Sequence, residues 1–166
     1  VADTAPGTVA FTDIVGFTAF CAEAGDDAAV EVLAHQERVV RSVLPDGARV
    51  VKELGDGVML WFPTATDAVR ACLELQLRLG GGGELPLWWR VGLHSGAPVR
   101  RGDDLVGHDV NVAARVVDLA GPREILCSDA TRAACATPAG VRFLDVGPVF
   151  VKGVPDPVWI HRVEPG

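Results

Sequence analysis

The sequence predicts an α+β domain, a central mixed β-sheet flanked by helices. Three observations point there. Short β-rich runs recur along the whole chain. Stretches with apolar residues at helical spacing separate them. Tight hairpin signals join some of the runs directly, at Gly55-Asp56-Gly57 and again near the C-terminus. The 166 residues fit one domain, with 49% apolar and 22% charged side chains, an ordinary globular composition. Folding at this size buries roughly 70% of the unfolded surface, enough for a real core.

The elements follow in order. Residues 8–15, TVAFTDIV, read as a central strand interrupted late by Asp13. Gly16 turns the chain into a short helix, 17–24, which ends at Gly25. Asp26 is placed to cap a second helix over 27–44, whose apolar positions Val32, Leu33, Val39, Val40, Val43 and Leu44 share helical spacing. After the Pro45-Asp46-Gly47 turn, 48–53 and 57–62 form a hairpin. Thr64 and Asp67 resemble a capping box for a helix over 65–79. Gly80–Gly83 reads as a flexible loop. Residues 86–94 form a strand and 97–104 return toward a turn. Helix 108–120, strand 124–127, helix 129–135 and a hairpin of 141–151 with 157–163 complete the chain.

Charge and composition exclude several classes. A net charge of −7 argues against nonspecific nucleic-acid binding, which needs a basic face. No apolar run approaches the ~20 residues of a membrane span, and VADTAPGT lacks the features of a secretory signal. The four cysteines form no CxxC, and the four histidines show no HExxH spacing. They read as structural or exposed. The chain begins at Val1, so either an initiator Met was removed or this is a domain cut from a longer chain; the second reading is adopted. The expected location is cytoplasmic, with no membrane contact by this domain and with any membrane anchor in a segment outside it.

The chemistry starts at two carboxylates. A charge at Asp13, in an apolar strand, costs several kcal/mol if buried alone. Asp56 sits at a hairpin tip, where Asp-Gly is also ordinary turn chemistry. If the first strand lies beside that hairpin, the two carboxylates meet at one sheet edge and repel unless a cation lies between them. Hard oxygen ligands favour Mg²⁺ or Mn²⁺. A strand passing through Gly16 into a helix starting at Phe17 exposes backbone N–H groups that suit phosphate.

FTDIVGFT at 11–18 and KELGDG at 52–57 resemble the metal-binding segments of class III nucleotidyl cyclases. The resemblance continues through RVGLHSG at 90–96, GDDLVGHDVNVAARV at 102–116, GPREILCSDATR at 121–132 and FVKG at 150–153, nearly the whole chain. It implies a palm/ferredoxin-like cyclase fold and an adenylate cyclase. Such an enzyme converts ATP to 3′,5′-cyclic AMP and pyrophosphate by in-line attack of the ribose 3′-hydroxyl on the α-phosphate. Asp13, Asp56 and the Ile14 carbonyl are then the ligands of two divalent metal ions.

The resemblance places the base-selecting pair at Lys52 and Asp104. Adenine presents an acceptor at N1 and a donor at its 6-amino group, which a lysine and an aspartate match and guanine reverses. The neighbouring Asp103 leaves the register open by one, and a plain ion pair is the bland alternative. Asn111 and Arg115 are four apart and share a helix face, with Val110, Ala113, Ala114 and Val117 assigned to packing. By resemblance Asn111 orients the ribose, Arg115 offsets charge on the α-phosphate and Lys152 meets the terminal phosphates. One departure is Ala97, where some family members carry arginine; Arg100 and Arg101 stand nearby but shifted.

In the family the metal aspartates come from one subunit and the base pair, the Asn and the Arg from the other. A chain with both sets implies a homodimer with two sites at its interface. The rivals are a catalytically weak or inactive cyclase-like module that dimerises or senses nucleotide, and a guanylate cyclase. A diguanylate cyclase is disfavoured because no GG[DE]EF-like hairpin is present.

Overall fold

The computed structural model describes residues 2–79 and 87–166. The glycine run 80–83 and residue 86, the expected start of a strand, lie outside the described residues. The long β1 (Gly7–Val15) leads through Gly16 into α1 (Phe17–Ala24), and α2 (Asp26–Val43) follows. The hairpin of β2 (Arg49–Leu54) and β3 (Gly57–Phe62) precedes α3 (Ala65–Leu79) and β4 (Trp88–Gly96). A short ribbon of β5 (Val99–Arg101) and β6 (Asp104–Val106) leads to α4 (His108–Leu119). The chain ends with β7 (Ile125–Ser128), α5 (Asp129–Ala134) and the hairpin β8 (Val141–Val149) and β9 (Val158–Pro165).

Seven strands make one sheet in the order β2-β3-β1-β4-β7-β9-β8. Only β4 and β7 run parallel; every other neighbouring pair is antiparallel, so the sheet is mixed, as the sequence predicts. The segment expected to return toward a turn over 97–104 instead contributes to a separate two-stranded ribbon, which places Asp104 at the start of β6.

Alternation along the strands sorts the core onto two faces. Ala10, Ile14, Leu60, Trp89, Val91 and Leu93 pack with α2 and α3 in the larger cluster. Val9, Phe11 and Met59 face the other way, toward Ala113 and Val117 of α4. Buried Trp89 also ties α2 to the sheet, because its indole N–H donates to Gln36 Oε1 at 2.7 Å. Burial of a side chain of that size contributes about 1.5–3 kcal/mol.

Local chemistry sets the element ends. The Thr64 hydroxyl accepts the Asp67 N–H at 3.1 Å, half of the expected capping box. Asp26 is not a cap: Gly25 holds that position and Asp26 lies in the first turn of α2, where a negative charge suits the helix dipole. The buried stripe of α4 is Val112, Ala113, Val116 and Val117, so the expected packing face turns toward Val112 and Val116. Val110 and Ala114 remain on its margin. Gly92 lets this helix lie directly on the sheet, since a Cβ there would run into the Val117 backbone nitrogen.

Candidate active site

The β2–β3 turn is built by glycine chemistry. Gly55 has φ +70°, a left-handed conformation that L side chains resist. A Cβ on Gly57 would strike the Thr12 carbonyl oxygen, so glycine allows β3 to press against β1. The Val58 N–H also donates to Thr12 Oγ1 at 3.2 Å. With Thr12 paired to Val58, the next residue outward on β1 is Asp13 and the residue leading into β3 is Asp56. The two carboxylates therefore meet. Burial and then the negative charge of Asp13 push the Asp56 carboxyl above the usual carboxylate range.

Asp13 has a partner that sequence reasoning did not assign. Arg90 stands directly across from it on β4. Both Nε and Nη2 of Arg90 donate to Asp13 Oδ2, at 3.0 and 2.6 Å. Arg90 also donates to the carbonyls of Asp118 and Ala120 at the C-terminal end of α4, at 3.3 and 3.4 Å. The signal was present in the sequence: an arginine between Trp89 and Val91 in an apolar strand needs compensation as much as Asp13 does.

Among the described residues no group of three or more His, Cys, Asp or Glu side chains is arranged to hold a metal ion. The donors brought together here are the two carboxylates, and the Ile14 carbonyl expected to join them is an oxygen of the same hard chemistry. Two carboxylates in contact, one of them raised by burial and then by the other's charge, fit a divalent cation. Beyond β1, Gly16 adopts φ +80° and caps α1, leaving the first-turn N–H groups from Phe17 onward beside the carboxylates in sequence.

Lys52 and Asp104 form a second group. Lys52 Nζ lies 3.0 Å from Asp104 Oδ2, with both side chains partly exposed. Asp104 is the aspartate that meets the lysine, as a base-selecting pair and a plain ion pair both require, while Asp103 offers only its backbone carbonyl to Arg49. The Lys52 ammonium and the Leu105 N–H hold the Asp104 carboxyl below its ordinary range, so it is an acceptor at neutral pH.

Asn111 and Arg115 are both exposed on α4, on the side away from the sheet. Arg115 lies 3.7 Å from Asp118, one turn on. Among the described residues neither joins Asp13 or Asp56 by a hydrogen bond or an ion pair. Lys152 is exposed in the β8–β9 turn. The strand registers put that turn at the end of the sheet where His94 and Ser128 sit, opposite to the end that holds Asp13. Arg100 does not replace the arginine absent at Ala97, because it pairs with Asp3 at 2.9 Å.

The Ala97 N–H instead donates to Asp109 Oδ2 at 2.8 Å, at the exposed edge of a partly buried network also missed from sequence. His94 bridges Ser128 Oγ at 2.6 Å and Asp109 Oδ1 at 2.9 Å. The carboxylate takes the Nε2 proton, so in the neutral ring Nδ1 accepts from the serine hydroxyl. Burial lowers the His94 pKa despite Asp109. For Asp109, burial raises the carboxyl, but the Ala97 N–H and His94 outweigh it and hold it below its ordinary value. The network anchors the start of α4, and so the placement of Asn111, to β4 and β7.

Residues 2–164 match the family model for the adenylate and guanylate cyclase catalytic domain. A pH-sensitive adenylate cyclase of Mycobacterium tuberculosis is 31% identical over 96% of this chain, which spans 41% of that protein. The crystal structure of the adenylyl cyclase CyaB from P. aeruginosa superposes with a TM-score of 0.87 at 24% identity, covering 100% of this chain and 97% of that one. The guanylyl cyclase Cya2 superposes at 0.79 with 27% identity, covering 99% and 95%.

Proposed function

The chain belongs to the family of adenylate and guanylate cyclase catalytic domains, and within it we propose an adenylate cyclase that converts ATP to 3′,5′-cyclic AMP and pyrophosphate. The observation that carries the choice of base is the 3.0 Å contact of Lys52 with Asp104. It sets a fixed donor beside a fixed acceptor, the complement of adenine N1 and its 6-amino group. Guanine presents a donor and an acceptor in the reverse order, which would leave both protein groups opposed.

Asp13, Asp56 and the Ile14 carbonyl would hold two divalent ions, Mg²⁺ or Mn²⁺. Bound there, such ions supply Lewis-acid activation of the ribose 3′-hydroxyl and neutralise triphosphate charge. The protein's share is positional. Lys52 and Asp104 fix the base, and Asn111 orients the ribose. Arg115 offsets the charge that grows on the α-phosphate as the 3′-oxygen attacks in line and pyrophosphate leaves. The Gly16–Phe17 amides and Lys152 meet the terminal phosphates.

Within one chain Arg115 is linked to Asp13 only indirectly, through Asp118 and Arg90. Lys152 is at the opposite end of the sheet from Asp13, and Arg115 is on the outward side of α4. The distance of Lys152 from Asp13 favours a site completed by a second copy, and the family resemblance supplies the division: carboxylates from one protomer of a homodimer, and Lys52, Asp104, Asn111 and Arg115 from its partner.

The test supplies purified protein with Mn²⁺ and either ATP or GTP, and measures both cyclic products. Cyclic AMP from ATP in clear excess over cyclic GMP from GTP is expected. Cyclic GMP as the dominant product would make the chain a guanylate cyclase. No product from either nucleotide, in folded dimeric protein, would leave the nucleotide-sensing module as the reading.

A further inference from the structure

We infer that Arg90 is a positioning residue for the metal carboxylate Asp13: it fixes which oxygen of Asp13 faces the ions, and it restrains how tightly they bind. This rests on the metal reading given above. Two guanidinium nitrogens converge on one oxygen, Oδ2, at 2.6 and 3.0 Å. Arg90 makes no hydrogen bond to the other carboxylate oxygen, Oδ1, which leaves that oxygen to turn to a cation shared with Asp56. The guanidinium is itself held by the Asp118 and Ala120 carbonyls, and Asp118 Oδ1 lies 4.0 Å from Nη2. Arg90 therefore cannot swing away cheaply, and the rotation of Asp13 is tied to the C-terminal end of α4.

The same contact carries a cost for metal binding. A fixed positive charge lies beside a site meant for divalent cations, and like charges at that range repel. Arg90 thus trades affinity for orientation. A planar fork can orient a carboxylate in a way that the single ammonium of lysine cannot. Charge and orientation can therefore be separated by substitution.

The experiment measures Mn²⁺ binding to nucleotide-free protein by electron paramagnetic resonance, alongside kcat, for wild type, Arg90→Gln and Arg90→Lys. In Arg90→Gln the repulsion is gone and Asp13 is free to rotate. Mn²⁺ should bind about tenfold more tightly, while kcat falls ten- to about a hundredfold through misplacement. Arg90→Lys should bind Mn²⁺ as wild type does and still turn over slowly. A purely structural cap on α4 would change the melting temperature and leave Mn²⁺ affinity alone. Unchanged or weaker Mn²⁺ binding in folded Arg90→Gln overturns the inference, as does wild-type turnover in Arg90→Lys. If Arg90→Gln does not fold, Arg90→Lys alone decides. Asp13→Asn and Asp56→Asn serve as controls. If both bind Mn²⁺ like wild type, the metal site itself is wrong and the Arg90 role falls with it. If they lose Mn²⁺ while Arg90→Gln matches wild type, only the Arg90 role fails.

Discussion

Asp13 and Asp56 are held close by backbone, not by attraction. The β1–β3 register and the close approach at Gly57 bring them together, and burial, followed by the charge of Asp13, raises the Asp56 carboxyl. Removing one charge should therefore stabilise the metal-free protein while destroying its chemistry. Asp56→Asn is expected to melt at a higher temperature than wild type without divalent ions, and to gain less from added Mn²⁺. Its cyclase rate, like that of Asp13→Asn, should drop by about 10³-fold, equivalent to about 4 kcal/mol of transition-state stabilisation. A calorimetric melt with and without Mn²⁺, run beside a cyclic AMP assay, checks both halves. Base choice is the other matter decided by single residues. Lys52→Glu combined with Asp104→Cys should lower ATP turnover by about 10²-fold or more, because each position would then present the wrong hydrogen-bonding group to adenine. Unchanged kcat/KM for ATP in that double variant would remove these two residues from base recognition. Two juxtapositions were legible from sequence because their residues stand in recognisable segments, Asp13 with Asp56 and Lys52 with Asp104, while the roles expected of Asn111 and Arg115 remain part of the proposal. Arg90 was not assigned, although RVGLHSG was noticed, because its role depends on a cross-strand register with a residue 77 positions away. Nothing local announces such a partner.

Helix α4 is the element on which placement of the reactive groups depends. It carries Asn111 and Arg115 outward, packs Val112, Ala113, Val116 and Val117 inward, and is pinned at each end by a polar contact to β4. Its seat on the sheet needs Gly92. Gly92→Ala would force the helix backbone away from β4 and should destabilise the protein by about 1–3 kcal/mol, read from a denaturant midpoint. The start of α4 is pinned by the neutral His94. Since burial depresses the His94 pKa, the unfolded chain takes up a proton first as pH falls. The stability that His94 contributes is therefore full above the ordinary histidine value and lost as pH drops through the lowered one. Asp109, also depressed, acts in the same sense at lower pH. Wild type should lose melting temperature more steeply between pH 7 and pH 5 than His94→Asn does. Equal slopes would show that protonation of His94 does not oppose folding. At this scale the sequence was most informative. Hydrophobic period and glycine punctuation placed the helices and most strands within one or two residues. The exceptions have physical causes. Gly25 displaced Asp26 from the cap, and the 97–106 segment formed its own ribbon because Thr4 bridges Val99 and the Ala5 N–H donates to the Pro98 carbonyl, contacts from the distant N-terminus.

In the molecule as a whole, one topological fact shapes the proposed mechanism. β1 and the β2–β3 turn deliver carboxylates to one end of the sheet, while the β8–β9 turn delivers Lys152 to the other, and α4 shows its polar side to solvent. Two copies related by a twofold axis would place the carboxylate end of each against the Lys52–Asp104 pair and the α4 face of its partner, giving two equivalent sites. Lys52 and Asp56 then serve different sites although they belong to one hairpin. Lys52 lies within β2 and Asp56 in the turn beyond Leu54, so the hairpin presents them at different points along its length. Complementation tests this arrangement. Asp13→Ala and Arg115→Ala should each be inactive alone, since every homodimer site lacks either a metal carboxylate or the arginine. Mixed, they should form heterodimers in which one site collects both lesions and the other has neither. Cyclic AMP formation should then return, reaching at most half of the wild-type rate per heterodimer. Heterodimers must be demonstrated independently, for example by differential tagging and tandem purification, because slow subunit exchange would also leave the mixture silent. Purified heterodimers without activity would mean that each chain assembles its site alone, and α4 would then have to turn its polar side toward its own Asp13.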